Sequence, residues 1–297
     1  MPSSRPWWLL AAPVIFLLLW SGGYTVAKVA LLHAPPMTIL VLRYGAVVAI
    51  MTVLLIVLRP PLPQTRAGWG HLAFTGFLIQ TVYFGMTYLA FINGVAAGTA
   101  ALIMSIQPII VALVAIRWSG ERTSAAGWIG LALGLSGTAI VILARSEMSA
   151  PPIAGLALAF LGLGGITLAT LWEKRFGLSY HPVTANLIGY AAGLVGVLPF
   201  MLAMEGGAIA WTPAFFAAMA YLVIGNSVIA VGLLLMMIRA GEVAKVSALF
   251  FLVPPLAAVI AWAILGEIMP PIAWLGLILA GFGVWLATRK HAHRHTK

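Results

Sequence analysis

The sequence has no cysteine, and all six of its acidic residues are glutamate. Without thiols there is no disulfide framework and no thiol chemistry. Charge of any kind is scarce. Asp, Glu, Lys and Arg make up 7% of the 297 residues, against about 25% in an average soluble domain. That is too little to cover a water-facing surface, so a soluble globular enzyme is excluded. Intrinsic disorder is excluded as well, because it needs low hydrophobicity and 63% of this chain is hydrophobic. No phosphate-cradling glycine loop, nucleophile triad or internal metal cluster is present. Neither a metal nor another cofactor is implied. With no nucleotide-binding domain, direct ATP drive would need a separate subunit.

What the chain does have is apolar length. Mean hydropathy is +1.09, and runs bounded by Pro, Gly or charge fall at 7–31, 37–58, 69–92, 96–117, 125–144, 153–173, 183–204, 213–238, 243–265 and 271–288. A spanning helix needs roughly 20 such residues. The reading is an all-α integral membrane protein of ten transmembrane helices, joined by linkers too short to house a catalytic domain. The runs are too long and unbroken for a barrel, whose strands alternate over about ten residues. The apolar stretch after Arg5 has the look of a signal peptide, but it continues to full span length and is read as the first helix.

The formal charge of +10 comes from 16 Lys and Arg. In a soluble protein this would suggest nucleic acid; here the basic residues mark one side of the membrane. With the N-terminus in the cytoplasm, that side receives Arg5, Arg59, Arg66, Arg117, Arg122, Lys174, Arg175, Arg239, Lys245, Arg289, Lys290, Arg294 and Lys297, which is 13 of the 16. Only Arg145 falls outside, and Lys28 and Arg43 lie within or at the edge of spans. The positive-inside rule then places both termini in the cytoplasm, in an inner (plasma) membrane of bacterial type.

The chain also repeats itself. A gapless shift of 146 residues sets Lys28 on Lys174, Pro36 on Pro182, Thr38 on Thr184, Tyr44 on Tyr190, Gln80 on Asn226, Pro108 on Pro254, Glu121 on Glu267 and Trp128 on Trp274. Rare residues in one constant register indicate duplication. Five spans per copy is an odd number, so the second copy is expected to be inverted across the membrane, the arrangement of many secondary transporters. The expected organisation is a cytoplasmic N-terminus at 1–6, a first repeat at 7–145, a second at 152–290 and a basic tail at 291–297. The tail histidines 291, 293 and 295 resemble a metal tract but are read as part of a solvated basic end.

Five plus five helices, Trp20-Ser-Gly-Gly-Tyr24 in the first span, Arg43 early in the second, and two Pro-x12-Glu units (Pro108 to Glu121, Pro254 to Glu267) resemble the drug/metabolite transporter superfamily. More narrowly, they are similar to its bacterial members with tandem EamA domains, and within these to aromatic amino-acid exporters of the inner membrane. The resemblance implies export of small metabolites with no covalent cofactor.

Candidate site residues follow from chemistry at depth. Pro108 and Pro254 lie mid-span. Each cannot donate to the carbonyl four residues back, so Met104 and Phe250 should present free carbonyls, and Pro255 should free Phe251. Such backbone is tolerated only against protein or a wet cavity. The alternative is a bend that serves packing alone. Ser21, Tyr24 and Lys28 share one helical face, as do their shifted partners Thr167, Thr170 and Lys174. These read as cavity walls or as interhelical hydrogen bonds, the lysines also as cations reaching for the interface. Gln80, Asn226 and Gln107 are amides able to hold a carboxylate or an ammonium group. Tyr24, Tyr83, Met104, Trp172 and Phe250 suit a flat apolar side chain, or simply fill the bundle. Arg43 is a carboxylate contact or an outward-reaching cation.

The glutamates, at 121, 147, 173, 205, 242 and 267, fall at span ends or in loops, which argues against a dedicated ion-coupling site. Glu121 and Glu267 read as helix-end structural residues. The Gly130-x3-Gly134 and Gly189-x3-Gly193 pairs read as packing within the bundle. The function expected is a secondary transporter exporting small amphipathic metabolites, with a small-molecule substrate and the lipid bilayer as partners and no obligate protein partner. The alternatives are another solute class, an enzyme acting on lipid-linked substrates, or a channel.

Overall fold

The computed structural model describes residues 8–95, 100, 103–119, 124–145, 152–176, 180–239, 249–265 and 270–288. Residues 1–6, the tail from 291, and Glu121, Glu147, Glu242 and Glu267 lie outside this set. The described residues form helices and connecting turns, with no strand among them. The helices are α1 (Trp8–Leu31), α2 (Pro36–Leu58), α3 (Arg66–Ile92), α4 (Gln107–Ser119), α5 (Ala125–Arg145), α6 (Ile153–Phe176), α7 (Pro182–Met204), α8 (Pro213–Met237), α9 (Val253–Leu265) and α10 (Pro271–Thr288).

Six of them, α1, α2, α3, α6, α7 and α8, are long and apolar enough to cross a membrane. The chain is a multi-pass membrane protein. Helices satisfy their own backbone hydrogen bonds, which lipid cannot do for them. Their outward faces are aliphatic, with Val57, Val195, Leu202 and Ile278 exposed. Several helix starts are set locally. Proline occupies the first helical position of α2, α7, α8 and α10, where its missing N–H has no helical partner to lose. Thr65 and Thr212 accept from the N–H groups of Gly68 at 3.1 Å and Phe215 at 3.2 Å, capping α3 and α8. Arg59, at φ 46°, closes α2 in the left-handed conformation.

The mid-span prolines break their helices where a kink was expected. Ser105 and Ile106 form a turn, and α4 begins at Gln107, so Pro108 sits in its first turn. Phe250, Phe251 and Leu252 form the matching turn ahead of α9, with Pro254 and Pro255 in its first turn. Starting a new helix spares the clash that a proline in mid-helix makes with the preceding turn. The freed Phe251 carbonyl accepts from Thr138 Oγ1 at 2.9 Å. The break leaves α4 and α9 at 13 residues each, too short to span alone.

Close seams between small residues hold the helices together. A Cβ on Gly130 would meet the backbone of Gly283 and Ala287, and one on Gly137 that of Gly276 and Ala280, so α5 and α10 touch backbone to backbone. Gly76 of α3 lies equally close to Gly189 of α7, and Gly193 faces Gln80. Both glycine pairs singled out in the sequence serve packing within the chain, as read there.

One carboxylate ties the ends of the molecule together. Glu205, just after α7, accepts from the N–H groups of Met37 (2.9 Å) and Thr38 (2.7 Å) and from Thr38 Oγ1 (2.9 Å). Pro35, at the N-cap of α2, offers no side-chain cap. The second half therefore supplies the acceptor that the first half lacks, at the positive end of the helix dipole. Beside it, the Ala210 N–H donates to the His33 carbonyl at 2.8 Å.

Candidate functional site

A cleft of about 330 Å³ lies where α1, α2, α3 and α8 meet, lined among others by Tyr24, Arg43, Tyr83, Phe84, Tyr88 and Asn226. That is the lower range of small-molecule sites. Its walls are aromatic. Trp20 stacks on Tyr83 with ring centroids 6.2 Å apart and meets Phe250 edge-on at 5.6 Å. The hydroxyls of Tyr24 and Tyr83 share a hydrogen bond of 3.0 Å.

The cleft's charge is Arg43, which is 0% exposed. Its Nε donates to Ser227 Oγ and its Nη2 to Asn226 Oδ1, each at 2.6 Å. The guanidinium carbon lies 4.5 Å from the centre of the Phe84 ring, a cation–π contact. Nη1 has no hydrogen-bond partner, and no carboxylate is among the partners of the group. A buried cation without a counter-charge costs several kcal/mol, a cost that an anion entering the cleft would relieve.

The local sequence explains why Asn226 is in place. Gly22 and Gly23 let α8 approach α1: a Cβ on Gly23 would collide with the Asn226 amide, and one on Gly22 with the Tyr221 hydroxyl. The bare stretch exposes the Leu19 carbonyl, which accepts from Tyr221 OH at 3.0 Å and Asn226 Nδ2 at 3.3 Å. With Nδ2 so engaged, Oδ1 faces Arg43.

A tyrosine pair closes the floor. Tyr44 and Tyr190, both buried, meet edge to face at 5.4 Å. Tyr44 OH donates to the Gln80 carbonyl at 2.7 Å, and Tyr190 OH to the Ser227 carbonyl at 3.3 Å. Both acceptors lie in π-helical segments, Phe77–Gly85 within α3 and Tyr221–Ala230 within α8. Such wide turns are rare and recur at functional sites. Here they aim main-chain oxygens at the tyrosines.

The sequence model of the EamA-like transporter family matches residues 6–143 and again 151–289. The chain belongs to the EamA-like transporter family. This EamA transporter is 26% identical to the inner membrane transporter YedA of Escherichia coli K12, over 94% of this chain and 90% of that one. It is 32% identical to the probable terminal-alkyne amino-acid exporter of Streptantibioticus cattleyicolor, over 66% and 65%. It is 23% identical to the probable amino-acid metabolite efflux pump of Salmonella typhimurium LT2, over 92% of each. A crystal structure at 20% identity superposes with a TM-score of 0.79, covering 96% of this chain and 97% of the other, and so shares its fold. A membrane transporter, and not an enzyme, is what the family makes it.

Of the residues read from the sequence of this EamA transporter, the structure gathers Tyr24, Arg43, Tyr83 and Asn226 on the cleft, with Phe250 behind Trp20. Ser21 is buried close by, and its hydroxyl has no partner. Gln107 and Thr170 pair elsewhere, Nε2 donating to Oγ1 at 3.0 Å. Thr167 and Met104 are buried, as are Pro108 and Pro254, and none of them lines the cleft. Trp172 packs against Phe74, Phe176 and His71, and Lys28 is exposed; neither lines the cleft. Gln80 lies below the tyrosine floor.

Sequence reasoning missed Trp20, Phe84, Tyr88 and Ser227, whose types are unremarkable in a membrane chain, and the tyrosine floor. Tyr44 and Tyr190 were visible as a repeated pair, and that pairing was the available signal. Glu173 sits at the end of α6 as expected, yet it is only 5% exposed. A carboxylate is therefore shielded from water inside the bundle.

Proposed function

We propose that this transporter exports amino acids with bulky apolar or aromatic side chains by alternating access. Ten spans, arranged as two inverted five-helix repeats with both termini in the cytoplasm, would open the site to one side at a time. Support for the duplication comes from register: Pro36–Leu58 and Pro182–Met204 keep the same 146-residue offset as the sequence, as do Gln107–Ser119 and Val253–Leu265. In this reading the Glu205 end faces outward and the Arg59 end inward.

The observation that carries the reading is Arg43. A buried guanidinium with a spare N–H, no acid partner and aromatic walls around it fits a carboxylate with a flat side chain attached. The names of two relatives, an amino-acid exporter and an amino-acid metabolite efflux pump, point the same way. The test is counterflow in proteoliposomes with a panel of labelled amino acids and their decarboxylated amines. Aromatic and large aliphatic amino acids are expected to exchange. The amines are expected to fail, and Arg43→Gln should cut exchange at least tenfold. Equal exchange of amines, or an unaffected Arg43→Gln protein, overturns the assignment.

A further inference from the structure

Below the tyrosine floor, between α3, α6, α7 and α8, lies a second cleft of about 300 Å³. Its polar lining is rich in acceptors. Gln80 and Asn186 are 2% and 4% exposed, and Gln80 Oε1 and Asn186 Oδ1 have no hydrogen-bond partner. Each such buried acceptor costs about 1–3 kcal/mol. The Glu173 carboxylate lines the same cleft, with Thr75 Oγ1 donating to its Oε2 at 3.4 Å. No Lys, Arg or His is among the lining residues. Lys174 and Arg175 follow Glu173 in sequence, but neither reaches the cleft wall.

The repeat register adds an independent observation. It sets Arg43 on Gly189 and Glu173 on Ala27. Ala27 lines the first cleft and Gly189 the second. The two clefts thus occupy corresponding places in the duplicated chain. One carries a cation where the other has glycine, and the other carries a carboxylate where the first has alanine. Matching hollows have been given opposite signs.

We propose that the second cleft is a binding site for a compact monovalent cation, held by Gln80 Oε1, Asn186 Oδ1 and the Glu173 carboxylate, with Thr75 beside them. Oxygen acceptors of this kind suit a hard alkali ion. They equally suit an ammonium head, whose three N–H groups need three acceptors. The shared chemistry is a small positive charge, and it has two sources, Na⁺ or the amino group of an organic solute. The site stands on its own lining and does not depend on what Arg43 binds.

The test is thermal unfolding of the purified full-length protein in sodium chloride, methylammonium chloride or choline chloride at equal ionic strength. A ligand that binds the folded state raises Tm with its concentration. Sodium or methylammonium is expected to raise Tm above the choline value. A response to sodium alone identifies an inorganic ion, and a response to methylammonium alone identifies an amino-group subsite. Glu173→Gln and Asn186→Leu should each weaken the apparent Kd at least tenfold, and Arg43→Gln should leave it unchanged. That last variant separates this site from the first: loss of the Arg43 reading leaves the cation response intact. No rise above choline in the wild-type protein overturns the proposal, and so does a rise that persists undiminished in the Glu173 and Asn186 variants. Should Glu173→Gln fail to fold, Asn186→Leu and the wild-type comparison still decide.

Discussion

Arg43 shows what a single side chain can demand of its surroundings. Its planar fork donates in two directions at once, to Ser227 and to Asn226. Lysine would keep the charge but not the fork. A hydrogen bond to a charged group is worth about 1.5–3 kcal/mol. Arg43→Lys is therefore expected to lower kcat/KM for a carboxylate solute by roughly ten- to a hundredfold, read as initial flux in liposomes. Unchanged flux would mean that charge alone suffices. From the sequence, Arg43 could be singled out because a cation two turns into a span needs a reason. Its partners could not. Ser227 is 184 residues away, and no local pattern marks a serine that receives a guanidinium. Trp172 was misleading for the opposite reason: an aromatic at a suitable depth looks the same whether it faces a cleft or packs against Phe74 and Phe176.

Among the helices, spacing matters more than polarity. Gly76 and Gly189 bring α3 against α7 with no room for a methyl group, whereas a Cβ on Gly45 meets nothing within 4 Å. Overpacking of a rigid seam costs about 1–3 kcal/mol. Gly76→Ala is expected to lower Tm by several degrees and Gly45→Ala to leave it near the wild-type value, both by thermal unfolding in detergent. Equal values for the two would show that the seam has slack. The helix bounds themselves were largely legible. Apolar runs read at 37–58 and 183–204 became Pro36–Leu58 and Pro182–Met204. The breaks at Pro108 and Pro254 were legible in place but not in kind. A proline forbids one hydrogen bond, and whether the chain bends or starts a new helix is settled by neighbours such as Thr138, which takes the released carbonyl. The π-helical turns left no readable trace, because an added residue per turn disturbs no apolar run of that length.

For the molecule as a whole, the two copies of the family model and the constant register say that one five-span unit was used twice, and this much was visible in the sequence. The link between the copies was not. Glu205 looked like a loop residue, yet its carboxylate holds the start of α2 by three hydrogen bonds. An N-cap is worth about 0.5–2 kcal/mol. Glu205→Ala is expected to loosen the outward end, so that a cysteine placed at Ala27, buried on the first cleft, reacts severalfold faster with an impermeant maleimide added from outside. The chain has no cysteine of its own, so the signal is unambiguous. An unchanged rate would deny that contact a part in closing the cleft.

The glycine seam between α5 and α10 contributes no residue to the lining of either cleft. Robustness and selectivity are consequently written into different stretches of the chain. An engineer wishing to redirect the carrier to another metabolite would alter the neighbourhood of Trp20, Tyr83 and Phe84 and leave that pair alone. One wanting a heat-hardy version would do the reverse, and neither change should undo the other.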